Sequence, residues 1–364
     1  MAKTKVVVLF GGRSSEHVVG CATAAAFLEF IDRTRYDVIP VGITREGAFV
    51  LEDDNPAKFA LNPAKLPEVL DNGTRVIWPE PNGDRRLRVR AADGEIAVLG
   101  EIDIVLLSML GAHGEDGAIQ GFLDTIEVPY TGGGIVDSAM CMDKHFMKIA
   151  LRAAGIPVSD WVTVTHADWQ SDPDSIRDSV RELGFPVYVK PAREGSSVGV
   201  SRVASEEELA GALEIAFGKD RKVLIEIEVK GRELEVSVLE AKDGVKASLP
   251  GEIVLTGREF YDWDGKYMGA PGVEIVCPAV LTDAQIAAVK ELGVKAFNAV
   301  DGQGFARVDM FMTDEALYVN EINTMPGFTP ISMYPKCWVA SGLSYPELLT
   351  EIIETGRRRV SLAG

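Results

Sequence analysis

The chain has 364 residues, of which 46% are hydrophobic and 25% charged, and its formal net charge is −18. That length predicts two or three domains rather than one, and the composition excludes a disordered chain. The negative charge excludes nucleic acid and anionic membranes as natural partners, so a phosphate-bearing ligand would have to be held by local basic residues and backbone N–H groups.

Val6–Phe10 is a continuous apolar run that stops at Gly11 and Gly12, as a buried strand does. Ser14 and Ser15 are placed to cap a following helix that carries Val18, Val19, Cys21, Ala22 and Ala26. Tyr36–Ile43 is the next strand, residues 44–100 read as exposed excursions rich in Pro, Gly, Asp and Asn, and Ile102–Met109 is again a strand. Apolar strands linked by helices predict a parallel, doubly wound sheet. A domain boundary is expected near residue 135, after the Gly-rich stretch 130–134.

A helix is expected over Asp137–Ala154, ended by Gly155 and Pro157. Residues 160–225 read as strand, helix, strand pair, helix, strand, with Val187–Lys190 and Val198–Val203 as the pair and Glu206–Phe217 as the helix. Residues 222–240 and 245–255 are strand-rich, and 282–300 form a helix. Phe305–Met312 and Ala316–Asn320 are read as a hairpin around Thr313–Glu315. The cysteines, Cys21, Cys141, Cys277 and Cys337, are scattered without a CxxC or Cys/His cluster, which gives no sign of zinc and fits a reducing cytosol. No signal peptide is read at the N-terminus, and no apolar run approaches the roughly 18 residues of a membrane span. A cytoplasmic enzyme is the class expected.

Five segments carry chemistry. In FARVDMFM and YVNEINTMPGF, alternation along extended chain puts Arg307 with Asp309, and Glu321 with Asn323. If the strands pair, three oxygen-bearing side chains converge with a guanidinium. Hard oxygen ligands suit Mg²⁺, which keeps coordination places for nucleotide phosphates. A solvated hairpin face is the alternative, but carboxylates that interrupt apolar strands are costly to bury without a partner. The NTMPG turn adds backbone N–H groups suited to an oxyanion. In VYVKPAREGSSVGV, Lys190 ends a strand and enters a small-residue loop whose backbone can approach phosphate; an ordinary hairpin loop with a surface lysine accounts for it equally well.

In VLIEIEVKGRELEV, strand-edge groups can pair with a base, and Glu226 or Glu233 with ribose, although alternating acids also make a plain solvent face. In LFGGRSSEH, Glu16 sits at a helix start, where it either compensates the helix dipole or binds an ammonium group. In LLSMLGAHGEDGAIQG, His113 is a candidate base or a surface loop histidine.

In this order these segments, with MDK at 142–144 and FYDWDGKY, resemble the D-alanine–D-alanine ligase family of the ATP-grasp fold over nearly the whole chain, and most closely its actinobacterial members. The resemblance implies an α/β chain: an N-terminal doubly wound parallel-sheet domain (1–135), then a two-lobed ATP-grasp fold of α+β character, with a central lobe (136–225) and a C-terminal catalytic lobe (226–364). It implies ATP-dependent joining of two D-alanines through an acyl phosphate, for peptidoglycan precursors. Lys144, Lys190 and Ser197 would serve the ATP phosphates, and Glu226, Glu233 and the backbone of Ile227 and Val229 the adenosine. Asp309, Glu321 and Asn323 would bind two Mg²⁺ ions, for which Mn²⁺ can substitute.

Arg307 and the Gly327 N–H would stabilise the acyl-transfer transition state. Glu16, Ser196 and Tyr267 would form a hydrogen-bonded set closing the site, with Val19, Lys266 and Ser332 on the substrates. The resemblance also implies a homodimer. Two positions depart from the family pattern: Leu110 stands where a histidine is common, and Gly20 where a serine is. Both lie on the first-substrate side, and they motivate an alternative, a paralogue joining another small amino or hydroxy acid in antibiotic resistance or biosynthesis. A nucleotide binder without catalysis leaves the metal set and Arg307 without purpose. A nicotinamide oxidoreductase fails on its incomplete glycine fingerprint.

Overall fold

The structure is a computed structural model and describes residues 2–62, 64–256 and 272–360. The N-terminal part contains β1 (Thr4–Gly11), α1 (His17–Phe30), β2 (Tyr36–Ile43), β3 (Phe49–Leu51), α2 (Pro56–Phe59), β4 (Arg75–Ile77), β5 (Arg86–Arg90), β6 (Ile96–Glu101), β7 (Ile104–Ser108) and α3 (Ala118–Thr125). Its main sheet has the order β3-β2-β1-β7, with β1 parallel to both β2 and β7. Val6, Val8 and Phe10 pack on one side with Phe27 of α1, whereas Val7 and Leu9 pack on the other with Ile119 and Leu123 of α3. Burial on both faces is why β1 reads as an unbroken apolar run. The excursion at 44–100 carries its own three-stranded antiparallel sheet, β4-β5-β6.

The central part runs α4 (Ile135–Met142), α5 (Lys144–Ala153), β8 (Trp161–Thr165), α6 (His166–Ser171), α7 (Pro173–Leu183), β9 (Val187–Pro191), β10 (Ser201–Val203), α8 (Glu206–Phe217) and β11 (Lys222–Ile227), with an antiparallel sheet ordered β10-β9-β11-β8. The single helix expected over 137–154 is broken. Asp143 takes an extended conformation, and its side chain accepts from the His145 N–H, so α5 starts afresh at Lys144. The one helix expected between β8 and β9 is likewise two. A Thr165/Asp168 capping box starts α6, and Asp172 followed by Pro173 starts α7.

The last part contains β12 (Arg232–Ala241), β13 (Gly244–Ala247), β14 (Gly251–Leu255), β15 (Val273–Val276), α9 (Asp283–Ala299), β16 (Phe305–Met312), β17 (Leu317–Asn323), α10 (Met333–Ala340) and α11 (Tyr345–Val360). Its sheet is ordered β15-β14-β12-β16-β17, with β13 on β12. One face buries Leu234, Val236, Val238, Val308 and Met310 against Val289, Ala296 and Phe297 of α9. The other face carries the polar residues of the site. The chain then returns: Leu348, Leu349, Ile352 and Ile353 of α11 share a core with Val6, Val8 and Ile104 of the first sheet.

Candidate functional site

The polar face of the last sheet is set by strand register. Glu235 of β12 pairs with Asp309 of β16, which pairs with Glu321 of β17, giving a row of three carboxylates; beside it runs Ser237, Arg307 and Asn323. Strict alternation along β17 would put Val319 on the same face as Glu321. A register shift between Asp309 and Met310 inserts Asn320 as an extra residue, so Val319 turns into the core and Glu321 and Asn323 turn to the site.

Arg307 lies between the acids. Its Nε is 2.7 Å from Asp309 Oδ1 and 3.0 Å from Glu235 Oε2, and its Nη2 is 2.7 Å from Asp309 Oδ2. Burial works against its charge, yet Asp309 and Glu235 outweigh that and hold the guanidinium well above its ordinary pKa. Asn323 Nδ2 donates to Asp309 Oδ2 at 3.0 Å.

Two cavities meet here. The first lies between the central and last sheets and is lined by Lys144, Lys190, Ser196, Ser197, Glu226, Ile227, Val229, Glu233, Asp309 and Glu321. The second opens toward the N-terminal part and is lined by Glu16, Leu110, Glu115, Arg307, Asn323 and Gly327, sharing Lys144, Ser196 and Glu321 with the first. Lys144 stands at the junction because of the break before α5. Its Nζ is 2.8 Å from the Glu194 carbonyl oxygen and 3.5 Å from Glu321 Oε2.

The loop after β9 bridges the two cavities. Ser196 and Ser197 both adopt positive φ, 51° and 58°, a conformation that costs a non-glycine residue and persists where surroundings impose it. Ser196 Oγ donates to Glu16 Oε1 at 2.7 Å, joining residues 180 positions apart. Glu16 is the N-cap residue of α1 but makes no side-chain cap. The capping expected of Ser14 and Ser15 is absent too: Ser14 Oγ instead accepts from the Glu16 N–H at 2.9 Å, which fixes the turn that aims Glu16 at Ser196. At the loop's base, Asp220 accepts from the Arg193 backbone N–H and Nε at 3.0 Å and from the Lys222 N–H at 3.2 Å.

Several of the expected residues lie away from both cavities or are already engaged. Val19 is 1% exposed and lines neither cavity; its backbone N–H is bonded to the Glu16 carbonyl at 2.9 Å. Ser332 also lines neither, and its Oγ is 3.1 Å from the Thr329 N–H nitrogen. The Ile227 N–H is already donated to the Asp160 carbonyl, leaving only its carbonyl for a base. His113 is exposed, lines neither cavity, and its N–H donates to Asp116, so it is a loop residue. Lys266 and Tyr267 lie outside the described residues. Gly20 is a packing residue: a Cβ there would meet the Ser108 carbonyl oxygen at 2.8 Å, and Ser108 Oγ donates to the Gly20 carbonyl at 2.9 Å.

Sequence reading missed Glu235 and Glu115. Glu235 alternates with Glu233 and Ser237 on one face of β12, but only the pairing with Asp309 shows what that face looks onto. Glu115 accepts from the Gly111 N–H (2.6 Å) and the Met325 N–H (3.2 Å). Burial, and then the charge of Glu16, push its carboxyl up to about 8.

The residues fit a nucleotide and a hard cation. Glu226 Oε1 is buried in the first cavity wall without a hydrogen-bond partner, as suits a ligand donor. No group of three His, Cys, Asp or Glu side chains arranged for a metal occurs among the described residues. Arg307 engages Asp309 and Glu235 alike, so Asp309, Glu321 and the Asn323 amide make an incomplete oxygen set of the kind Mg²⁺ fills with water and phosphate.

Two sheets that close on a cleft from opposite sides, with Lys190 and Glu226 on one and Arg307, Asp309 and Glu321 on the other, are the working arrangement of an ATP-grasp enzyme. The chain belongs to the D-alanine–D-alanine ligase family: residues 5–133 match the family described as D-ala D-ala ligase N-terminus, and residues 150–354 the D-ala D-ala ligase C-terminus. It is 47% identical over 362 residues to a D-alanine–D-alanine ligase of Pseudarthrobacter chlorophenolicus, covering 98% of this chain and 95% of that one. Among solved structures it is similar to the D-alanine–D-alanine ligase of Coxiella burnetii (TM-score 0.83, 31% identity, 100% and 96% of the two chains). It is also similar to the VanG D-Ala:D-Ser ligase of Enterococcus faecalis (TM-score 0.83, 30% identity, 98% and 100%). Among the described residues no helix is long and apolar enough to cross a membrane.

Proposed function

We propose that this chain joins two D-alanines into D-alanyl-D-alanine at the expense of ATP, with the first cavity taking the nucleotide and the second the amino acids. The observation that carries this reading is the junction of the cavities, where Lys144, Arg307, Asp309 and Glu321 meet. The chain's parts divide the labour as 1–135, 136–227 and 228–364, the second ending with β11. A cytoplasmic homodimer belongs to the same reading and rests on family membership.

A carboxylate is a poor electrophile, so the γ-phosphoryl group passes to a carboxylate oxygen of the first D-alanine and ADP leaves. The amine of the second then attacks the acyl carbon, phosphate departs and one proton is released. Lys144 and Lys190 neutralise the phosphates, and Glu226, Val229, Glu233 and the Ile227 carbonyl hold the adenosine. The Ser196–Glu16 pair presents a carboxylate to the ammonium of the first amino acid. Arg307 and the Gly327 N–H face the developing oxyanion. Asp309, Glu321 and Asn323 would hold two Mg²⁺ ions, or Mn²⁺, which when bound supply charge neutralisation at the transferring phosphoryl group.

One observation favours a second reading, a ligase for another small amino or hydroxy acid. Leu110 is 4% exposed and presents an apolar wall to the second cavity where the family pattern has histidine. The experiment is a panel of D- and L-amino acids and D-lactate scored by ADP release and product mass. Turnover dominated by D-alanine is expected; none with D-alanine overturns the leading reading.

A further inference from the structure

Lys148 of α5 is completely buried, lines neither cavity and has no role in the chemistry above. A buried ammonium is expensive and is kept only where it is paired. Its Nζ is 2.7 Å from Ser159 Oγ, 3.3 Å from the Ser159 carbonyl and 3.4 Å from Glu226 Oε2. The same Oε2 is 2.8 Å from Lys190 Nζ and accepts from Ser159 Oγ at 3.2 Å. Three donors therefore crowd one oxygen of Glu226. The other, Oε1, is buried in the cavity wall with no partner.

The two lysines are not equivalent. Lys190 lines the first cavity and is free to turn toward a bound nucleotide. Lys148 is sealed behind the wall and stays with Glu226 whatever the cavity holds. We propose that Lys148 is a positioning residue for base choice: by pinning Oε2, it leaves Oε1 as an acceptor that admits a 6-amino purine and rejects a 6-oxo purine. This rests on the reading of the first cavity as the nucleotide site. An exocyclic amine donates to a carboxylate, whereas a 6-oxo group sets a second acceptor against it in a place water cannot relieve.

The charges around Glu226 act in one direction. Lys148, with Arg152 behind it, comes from α5, Ser159 from the turn before β8, Lys190 and Tyr188 from β9, and Glu233 faces the same cavity from β12. Burial pushes the Glu226 carboxyl up, but Lys148 and then Lys190 outweigh it and hold it below the usual carboxylate range. Burial lowers Lys148 to about 8, the counterpart of the same desolvation. Without Lys148, burial would act on Glu226 against Lys190 alone. The acid would then take up a proton as pH falls and donate to a 6-oxo group.

The test compares ATP with inosine triphosphate on the full chain, by calorimetric binding without amino acid and by ligation kcat/KM, from pH 6.5 to 8.5. Wild type should prefer ATP at every pH. Lys148→Met should narrow the preference at least tenfold, and more so at pH 6.5 than at 8.5; Lys148→Arg should restore it. An ATP-to-inosine ratio in Lys148→Met equal to wild type across the pH range overturns the proposal, even if both affinities fall, because a merely structural role weakens both nucleotides alike. Should Lys148→Met fail to fold, Ser159→Ala is read in its place, with a narrowed ratio expected and an unchanged one overturning. Wild type that binds neither nucleotide sinks the reading of the cavity instead, which separates the two failures.

Discussion

The Ser196–Glu16 bond is the sharpest place to test the site, because it joins the N-terminal part to the loop after β9 directly. A hydroxyl donating to a carboxylate at 2.7 Å contributes about 1.5–3 kcal/mol. Part of that offsets the positive φ of Ser196, 51°, whose cost is roughly 1–3 kcal/mol. Truncation to Ser196→Ala keeps the backbone cost and loses the bond; Ser196→Gly loses the bond and relieves the backbone. With about 1.4 kcal/mol per decade, the bond predicts a coupling of about 10- to 150-fold in kcat/KM for the first amino acid. The assay is a double-mutant cycle of Glu16→Ala and Ser196→Ala, read as phosphate release with D-alanine varied. Glu16→Ala removes both the acceptor oxygen and the charge offered to the ammonium. The double variant should be little worse than the poorer single one. Losses that multiply would mean the two residues act independently, and the reasoning from their contact would be wrong.

Glu321→Gln should reduce ligation by at least a hundredfold while leaving the unfolding midpoint and the far-UV circular dichroism unchanged; normal activity in the purified variant would refute its place in the metal set. Gly20→Ala should lower stability by about 1–3 kcal/mol, since the added Cβ would meet the Ser108 carbonyl at 2.8 Å; an unchanged thermal midpoint would show that α1 has room to shift. Asp220 is pushed up by burial but held lower overall by Arg193 and the backbone N–H groups. A carboxyl with a lowered folded pKa contributes stability above its unfolded value, and that contribution fades as pH falls through the folded one. Asp220→Asn should therefore cost stability at pH 7 and progressively less toward pH 3, as read by denaturant midpoints. A cost that does not change with pH would assign the effect to shape rather than charge.

What the sequence disclosed depends on how local each feature is. The apolar runs of β1, β2 and β7 are legible because burial on both faces leaves no ambiguity. Helix α8 is legible at Glu206–Phe217 to the residue, and α9 within one, because acids crowd the first turn of one and a capping box opens the other. The break at Asp143 was not legible. Residues 137–154 contain no Gly or Pro to mark a stop, and the local Asp143 cap is joined by the bond from the Lys144 N–H to the Ala192 carbonyl and the ion pair of Asp143 with Lys222. Those partners lie 48 and 79 positions away, beyond the reach of any pattern in the helix itself.

The site shows the same limit more strongly. Asp309 could be placed opposite Glu321 by assuming a hairpin, but simple alternation along β17 would also have turned Val319 toward the solvent cleft. The extra residue at Asn320 resolves the conflict: it lets one strand serve the apolar core up to Val319 and the polar site from Glu321 onward. A bulge of this kind is what a strand needs when its two halves face different surroundings. The conflict was visible in the letters, because YVNEIN cannot bury Val319 and Ile322 together under strict alternation. Glu235 and Lys148 offered no such conflict. Their positions read as an ordinary strand acid and an ordinary helix lysine, and only the neighbours that register and helix packing bring to them, Asp309 and Arg307 for one and Glu226 for the other, turn them into parts of the site.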